Sequence, residues 1–222
     1  FTQLIAEVFP EKHISQTPWP RLSHKEAIEK YKSDKPDLRT DKQNKNELAC
    51  AWILDFPLFT KQSEEDYFHG SGKSAYAPSH HMFTAPLTGH VDSLETLSPE
   101  SVNTIKAQAY DIVLNGVEIG GGSIRIHNTD VQKKMFNVLG ISEEEAKIKF
   151  SFLLEALKYG APPHGGIALG LDRIMMLLLK RNSIRDVIPF PKTQKGQCMM
   201  SNAPSPVSLE QLRELSIKVV DK

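Results

Sequence analysis

Residues 110–128 read YDIVLNGVEIGGGSIRIHN. Two apolar-rich arms flank Asn115-Gly116, the dipeptide that specifies a two-residue hairpin most strongly, because a type I′ turn needs positive φ at both central positions. The segment predicts an antiparallel pair, one strand from Ala107 to Leu114 and the other from Val117 through His127. A two-residue turn sets the register: Leu114 faces Val117, Val113 faces Glu118 and Asp111 faces Gly120. Asp111 and Glu118 then share a face as diagonal neighbours, roughly 7 Å apart between backbones. That is close enough to hold one divalent cation and its phosphates, or to leave two separately solvated acids. Arg125 lies seven residues beyond Glu118, so strict alternation puts it on the opposite face. Three consecutive glycines, Gly120 to Gly122, suit a β-bulge that reverses parity, and they also admit a ligand onto bare backbone. Arg125 then either joins the acids in a pocket, where its planar fork takes a carboxylate in bidentate fashion, or makes an ordinary ion pair beside a structural bulge.

Beyond the hairpin the pattern stays regular. A helix is expected from Thr129 to Leu139, stopped by Gly140, and a second from Ser142, with Glu145 three residues on as a capping box, ending at Gly160. GGIALGLDRIMMLLLK, residues 165–180, reads as a short glycine-flanked strand running into an apolar helix. Arg173, one turn into that helix, is placed to lie over a nucleotide's phosphates or base, although glycine-rich junctions are common and weak evidence alone. Before the hairpin, Ala49 to Phe59 reads as one buried strand with Asp55 at its centre. Residues 60–79 are loop-like. The stretch 29–48 is almost wholly polar, a solvated connection or the scar of a missing segment. His80 and His81 are adjacent, and neighbours in a strand point to opposite faces, so one functional and one structural histidine are expected rather than a metal-binding pair.

Composition bounds the rest. A chain of 222 residues at 40% hydrophobic content supports one large α/β domain with a real core. Lys+Arg and Asp+Glu each number 27, so any nucleic-acid contact must come from a local patch rather than global charge. Cys50 and Cys198 have neither CxxC nor zinc-finger spacing, which points to a reducing cytosol. No run approaches the ~20 apolar residues of a membrane span, and no signal-peptide pattern opens the chain. It begins with Phe1 rather than Met, as expected for part of a longer polypeptide. Walker, GxSxG and HExxH patterns are absent from the sequence, which withdraws support from several common enzyme classes.

Seven segments, in order, resemble bacterial-type aspartyl-tRNA synthetases. They are FTQ at 1–3, SDKPDLR at 33–39, LDFPLF at 54–59, SHHMFTAP at 79–86, the hairpin at 110–128, LLEALKYGAPPHGGIALGLDR at 153–173 and SIRDVIPFPK at 183–192. The resemblance implies an α/β fold of α+β type, the class II synthetase catalytic fold with an antiparallel sheet flanked by helices. GLDR would be the third signature motif of that class. By the same resemblance Asp111 and Glu118 hold Mg2+ on ATP, and Arg125 and His80 read the aspartate side chain. Gly170, Leu171, Asp172 and Arg173 form the ATP segment, and Gln3 lies beside the amino-acid pocket. Glu118, Arg125 and Arg173 would carry the catalysis.

The implied function is aspartate–tRNA ligation in the cytoplasm: ATP-dependent formation of aspartyl-adenylate, then transfer to tRNA(Asp) by an enzyme that is a homodimer at full length and has no membrane association. Two rivals stand beside it, a relaxed enzyme that also charges tRNA(Asn) and a non-catalytic paralogue that binds nucleotide or amino acid. Residues 1–222 would then be a partial catalytic domain, without the N-terminal anticodon-binding β-barrel, the first motif and most of the second. The family's Asp after FTQL is replaced by Ile5, and its insertion domain would be missing near 40–46.

Overall fold

The computed structural model describes residues 1–61, 74–98 and 101–220. The chain divides into two units, Phe1–Arg173 and Ile174–Lys222. The first contains α1 (Thr2–Val8), β1 (His13–Ile14), β2 (Arg21–Ser23), α2 (His24–Tyr31), β3 (Glu47–Leu48), β4 (Cys50–Leu54), β5 (Phe59–Lys61) and β6 (Tyr76–Pro78). There follow β7 (Ala109–Leu114), β8 (Val117–Ile124), α3 (Thr129–Val138), α4 (Glu143–Lys158), β9 (Gly165–Leu169) and the start of α5 (Leu171–Leu178). The main sheet has five strands in the order β2-β4-β7-β8-β9. Only the β2–β4 pairing in it is parallel; the others are antiparallel.

The hairpin forms where the Asn-Gly signal placed it. Asn115 has φ +50 and Gly116 φ +83, the two positive values a type I′ turn demands. Asn115 also fastens the tip: its Oδ1 accepts the Ala49 N–H at 2.8 Å and its amide donates to the Glu47 carbonyl at 2.8 Å. The strands are shorter than expected, starting at Ala109 and ending at Ile124. The register holds for Leu114–Val117 and Val113–Glu118, then shifts, so that Ile112 faces Gly120 and Asp111 faces Gly121 rather than Gly120. Ile119 is the inserted residue. The bulge thus precedes the glycines instead of lying within them.

Two other expectations are corrected. The run 49–59 is two strands, because Asp55 adopts φ +58 and breaks the ladder, leaving β4 and β5 on either side. The polar stretch 29–48 is not simply a connection: its start completes α2, whose capping box joins Ser23 and Glu26. Only Ala27 of α2 is buried, so no apolar period advertised the helix. Farther on, the Glu47 carboxylate, itself buried, accepts the amide N–H groups of Thr40 at 3.0 Å and Asp41 at 3.3 Å. Residues 62–73 of the expected loop lie outside the described residues.

The core packs Ile53, Ala109 and Val113 with Leu58, Phe59, Met135, Phe136, Leu139 and Ala146. Each such side chain removed from water contributes about 1.5–3 kcal/mol if large. Phe136 stacks on Phe150 at 5.6 Å, and Phe83 meets both rings edge-on, which ties α3 and α4 to the loop that carries His80 and His81. Caps sit near the expected places: Asn128 Oδ1 accepts from Asp130 and Val131, and Ser142 Oγ from Glu145. Gly140, with φ +68, ends the first of these helices.

In the second unit a 3-10 turn, Ile184–Asp186, is followed by an antiparallel bridge between Lys192 and Cys198 and by α6 (Leu209–Glu214), capped by Ser208 and Gln211. Both cysteines are free thiols. Among the described residues no helix is long and apolar enough to cross a membrane.

Candidate functional site

The bulge at Ile119 performs the parity change that the three glycines had been expected to make. Glu118 pairs with Val113 and Gly121 with Asp111; paired residues share a face, and so do Asp111 and Val113 two apart on β7. Alternation from Gly121 through Ser123 brings Arg125 to that same face. The structure therefore gathers Asp111, Glu118 and Arg125 on one side of the sheet. The glycines have separate reasons. A Cβ on Gly121 would overlap Asp111 Oδ1, so the carboxylate lies directly across bare backbone. A Cβ on Gly120 would come within 2.6 Å of the Ala168 carbonyl oxygen, and one on Gly122 would overlap that of Gly166. Those two positions let β9 approach.

Around Asp111 the contacts are specific. His80 Nε2 stands 3.5 Å from Asp111 Oδ1, and its ring meets the edge of buried Phe56 at 4.6 Å. Phe56 also meets His24, at 5.0 Å. Burial pushes the His24 imidazole below its usual value, with Asp34 opposing, His80 assisting and Asp111 opposing. His81 turns elsewhere: its Nδ1 accepts the Phe83 N–H at 3.3 Å, and burial followed by the Arg125 charge lowers its pKa. The two adjacent histidines thus diverge, His80 to the acid and His81 toward the guanidinium.

Glu118 is held by cations. Its Oε2 lies 3.2 Å from Lys35 Nζ and 3.6 Å from Arg173 Nη1, and the same Arg173 nitrogen donates to the Glu118 carbonyl at 2.9 Å. The strand-helix junction is fixed to the bulge by the Gly170 N–H, which donates to the Ile119 carbonyl at 2.7 Å. Arg173 therefore reaches the acid from the first turn of α5, with exposed Leu171 and Asp172 beside it. Gln3 is placed differently. It lies on α1, exposed, and its amide donates to Glu7 at 2.9 Å, so the structure does not bring it to the carboxylates.

Lys35 is the residue that sequence reasoning missed. It belongs to SDKPDLR, which carried the resemblance without a role. Its loop is docked on the hairpin tip: a Cβ on Gly116 would stand 3.3 Å from Asp37 Cβ. Arg39 grips Asp37 at 2.7 and 3.0 Å. Burial pushes the Asp37 carboxyl up, but the Arg39 hydrogen bonds and charge outweigh it and leave the group below its usual value. Two carboxylates on one face are a hard-oxygen donor set suited to a small divalent cation that completes its shell with water and phosphate. No group of three or more His, Cys, Asp or Glu side chains able to hold a metal occurs among the described residues. A cleft of about 490 Å3 lined by Lys133, Phe136, Lys147, Leu154 and Lys158 shares no lining residue with the cluster.

The family model described as tRNA synthetases class II (D, K and N) matches residues 1–194. An Aspartate–tRNA(Asp/Asn) ligase of Thermodesulfovibrio yellowstonii is 56% identical over 176 residues, covering 76% of this chain and 28% of that protein. One of the same name from Thermoanaerobacter sp. strain X514 is 54% identical, covering 79% and 28%. The chain thus spans under a third of the length of these curated relatives. Among solved structures, an aspartyl tRNA synthetase from Entamoeba histolytica superimposes with TM-score 0.54 at 22% identity, over 89% of this chain and 36% of that one; that likeness concerns the fold.

Proposed function

The chain belongs to the class II tRNA synthetases of the D, K and N group, and on that premise we propose that it is the catalytic-domain portion of an aspartate–tRNA ligase. The supporting observation is Asp111 and Glu118 on one sheet face with Arg173 clamped to Glu118. The substrates are L-aspartate, ATP and tRNA(Asp). In the reaction the aspartate α-carboxylate attacks the α-phosphorus of ATP, the bond to the β-phosphate oxygen breaks, and pyrophosphate leaves with the displaced electron pair. A ribose hydroxyl of the tRNA's terminal adenosine then attacks the acyl carbon of aspartyl-adenylate, forming the ester as the acyl–phosphate bond breaks and AMP leaves. Positioning and neutralisation of charge supply the acceleration; no covalent nucleophile from the protein is needed.

Each residue has a part. Arg125 pairs with the substrate's side-chain carboxylate, and His80, held by Asp111 and Phe56, lines the same side of the pocket. Arg173, with the Gly170–Asp172 backbone, lies along the triphosphate. Asp111 and Glu118 fit Mg2+, which when bound neutralises phosphate charge. Gln3 would reach the amino acid only from a position other than the one α1 gives it. The assembled enzyme is a cytoplasmic homodimer.

A second reading is favoured by the relatives' name, tRNA(Asp/Asn): the full-length enzyme also aspartylates tRNA(Asn). A non-catalytic nucleotide-binding paralogue is the reading to defeat. The deciding experiment is aspartate-dependent ATP–pyrophosphate exchange by the full-length polypeptide, followed by charging of both tRNAs. Exchange with aspartate but not asparagine is expected. Nucleotide binding with no exchange, in the presence or absence of tRNA, would overturn the proposal in favour of the paralogue.

A further inference from the structure

Glu118 offers one oxygen to two cations, and the two are not held alike. Arg173 has a second anchor on the Glu118 carbonyl at 2.9 Å. Lys35 meets Glu118 at 3.2 Å, and that carboxylate is the acceptor its ammonium reaches among the described residues. Its side chain is 43% exposed. Its backbone is fixed on both sides: the Lys35 N–H donates to Ser33 Oγ at 3.0 Å, and Asp37 is locked to Arg39 against the hairpin tip. The part free to move is therefore the side chain, on a base that keeps it beside the cluster.

We infer that Lys35 is a pyrophosphate-binding residue, which pairs with Glu118 when no nucleotide is bound and passes to the leaving phosphates of ATP once a divalent cation claims that carboxylate. This rests on the aminoacyl-adenylate reading above. Two cations on one carboxylate oxygen leave a net positive charge that a polyanion satisfies. Lysine, a compact charge with three rotatable donors on a flexible stem, suits such a transfer better than a planar guanidinium bound at two points.

The role requires opposite effects on two ligands. In the full-length polypeptide, Lys35→Gln should weaken binding of inorganic pyrophosphate, measured calorimetrically at fixed magnesium, about tenfold, the scale of one lost charge-assisted hydrogen bond. It should tighten binding of manganese(II) alone, followed by electron paramagnetic resonance, about threefold or more, because a competitor for Glu118 is gone. Lys35→Arg, which restores charge, should return pyrophosphate affinity to within about threefold of the parent. Unchanged pyrophosphate affinity, or a loss of both ligands together, overturns the inference, the second outcome marking Lys35 as structural. Opposed shifts in Lys35→Gln together with no aspartate-dependent exchange by the parent would defeat the functional reading while leaving the role of Lys35 intact.

Discussion

Two neighbouring glycines should respond unequally to the same substitution. At Gly121 an added methyl clashes with Asp111 Oδ1, the end of a side chain, and otherwise makes ordinary contacts of 3.4 Å with Asp111 Cγ and the Tyr110 carbonyl oxygen; the carboxylate can rotate aside at about 0.5–1.5 kcal/mol. The Asp111–His80 pair lost in that rotation is partly exposed and contributes at most about 1 kcal/mol. Replacing glycine inside a strand returns about 0.5–1 kcal/mol of backbone entropy, so Gly121→Ala should change stability by less than about 2 kcal/mol. At Gly122 the methyl meets the backbone oxygen of Gly166, which cannot turn away without carrying β9 with it. The β8–β9 ladder has five paired positions, and losing two or three of its hydrogen bonds at about 1 kcal/mol each makes Gly122→Ala cost about 1–2.5 kcal/mol after the entropic gain. Urea unfolding of the two variants measures this directly. Magnesium titration of pyrophosphate exchange then separates function from fold, because Gly121→Ala displaces a carboxylate of the proposed cation site and should raise the magnesium requirement severalfold. Equal destabilisation of both variants, or a normal magnesium titration for Gly121→Ala, would refute the reading of these glycines.

Arg125→Gln should lower kcat/KM for aspartate by at least about a hundredfold, the cost of leaving a buried substrate carboxylate unpaired, while KM for ATP stays within about threefold; unchanged aspartate kinetics would make Arg125 structural. Glu118→Gln should shift the magnesium dependence of exchange upward, and a titration identical to the parent's would count against the shared cation site. Burial pushes the Cys50 thiol up to about 12, whereas hydrogen bonds from Ser201 and the Met200 amide hold Cys198 below its usual value. Iodoacetamide at pH 8 should therefore label Cys198 in the native chain and reach Cys50 only on unfolding, and early labelling of Cys50 would contradict its burial. His24 is held below 6.5 in the folded chain, so the unfolded chain binds that proton first and stability falls as pH drops below 6.5 toward the folded value. His24→Phe should flatten that part of the urea-midpoint profile, which would stay unaltered if the ring were solvated.

The hairpin and its acids were legible because Asn-Gly is a local signal whose geometry propagates two residues at a time. That propagation failed at Ile119, since no residue type marks a bulge in advance, and Asp111 consequently faces Gly121. The strand-helix junction at 165–173 was legible from its flanking glycines together with the apolar run that follows them. Helix α2 was not, because its polar composition leaves no period to detect. Nor was Lys35, whose nearness to Glu118 depends on a loop docking across 83 positions of sequence, a tertiary fact with no local trace. The parallel pairing of β2 with β4 belongs to the same class. Asp55 hid a strand break inside an apolar run, because a single aspartate at positive φ looks like any buried polar residue until its backbone is seen.

The Glu47 carboxylate, by gathering the amides of Thr40 and Asp41, closes the neck of the excursion between them. Chain beyond a closed neck exerts little leverage on what lies behind it, and closing a longer loop costs only about 0.6 kcal/mol for each doubling of its length. The sheet registers the neck, through β3 and the Asn115 bonds to Glu47 and Ala49, and is indifferent to how much polypeptide hangs outside it. A longer or shorter excursion at the exposed residues Lys42 and Gln43 is therefore expected to leave the strands and the carboxylates of the cluster where they are.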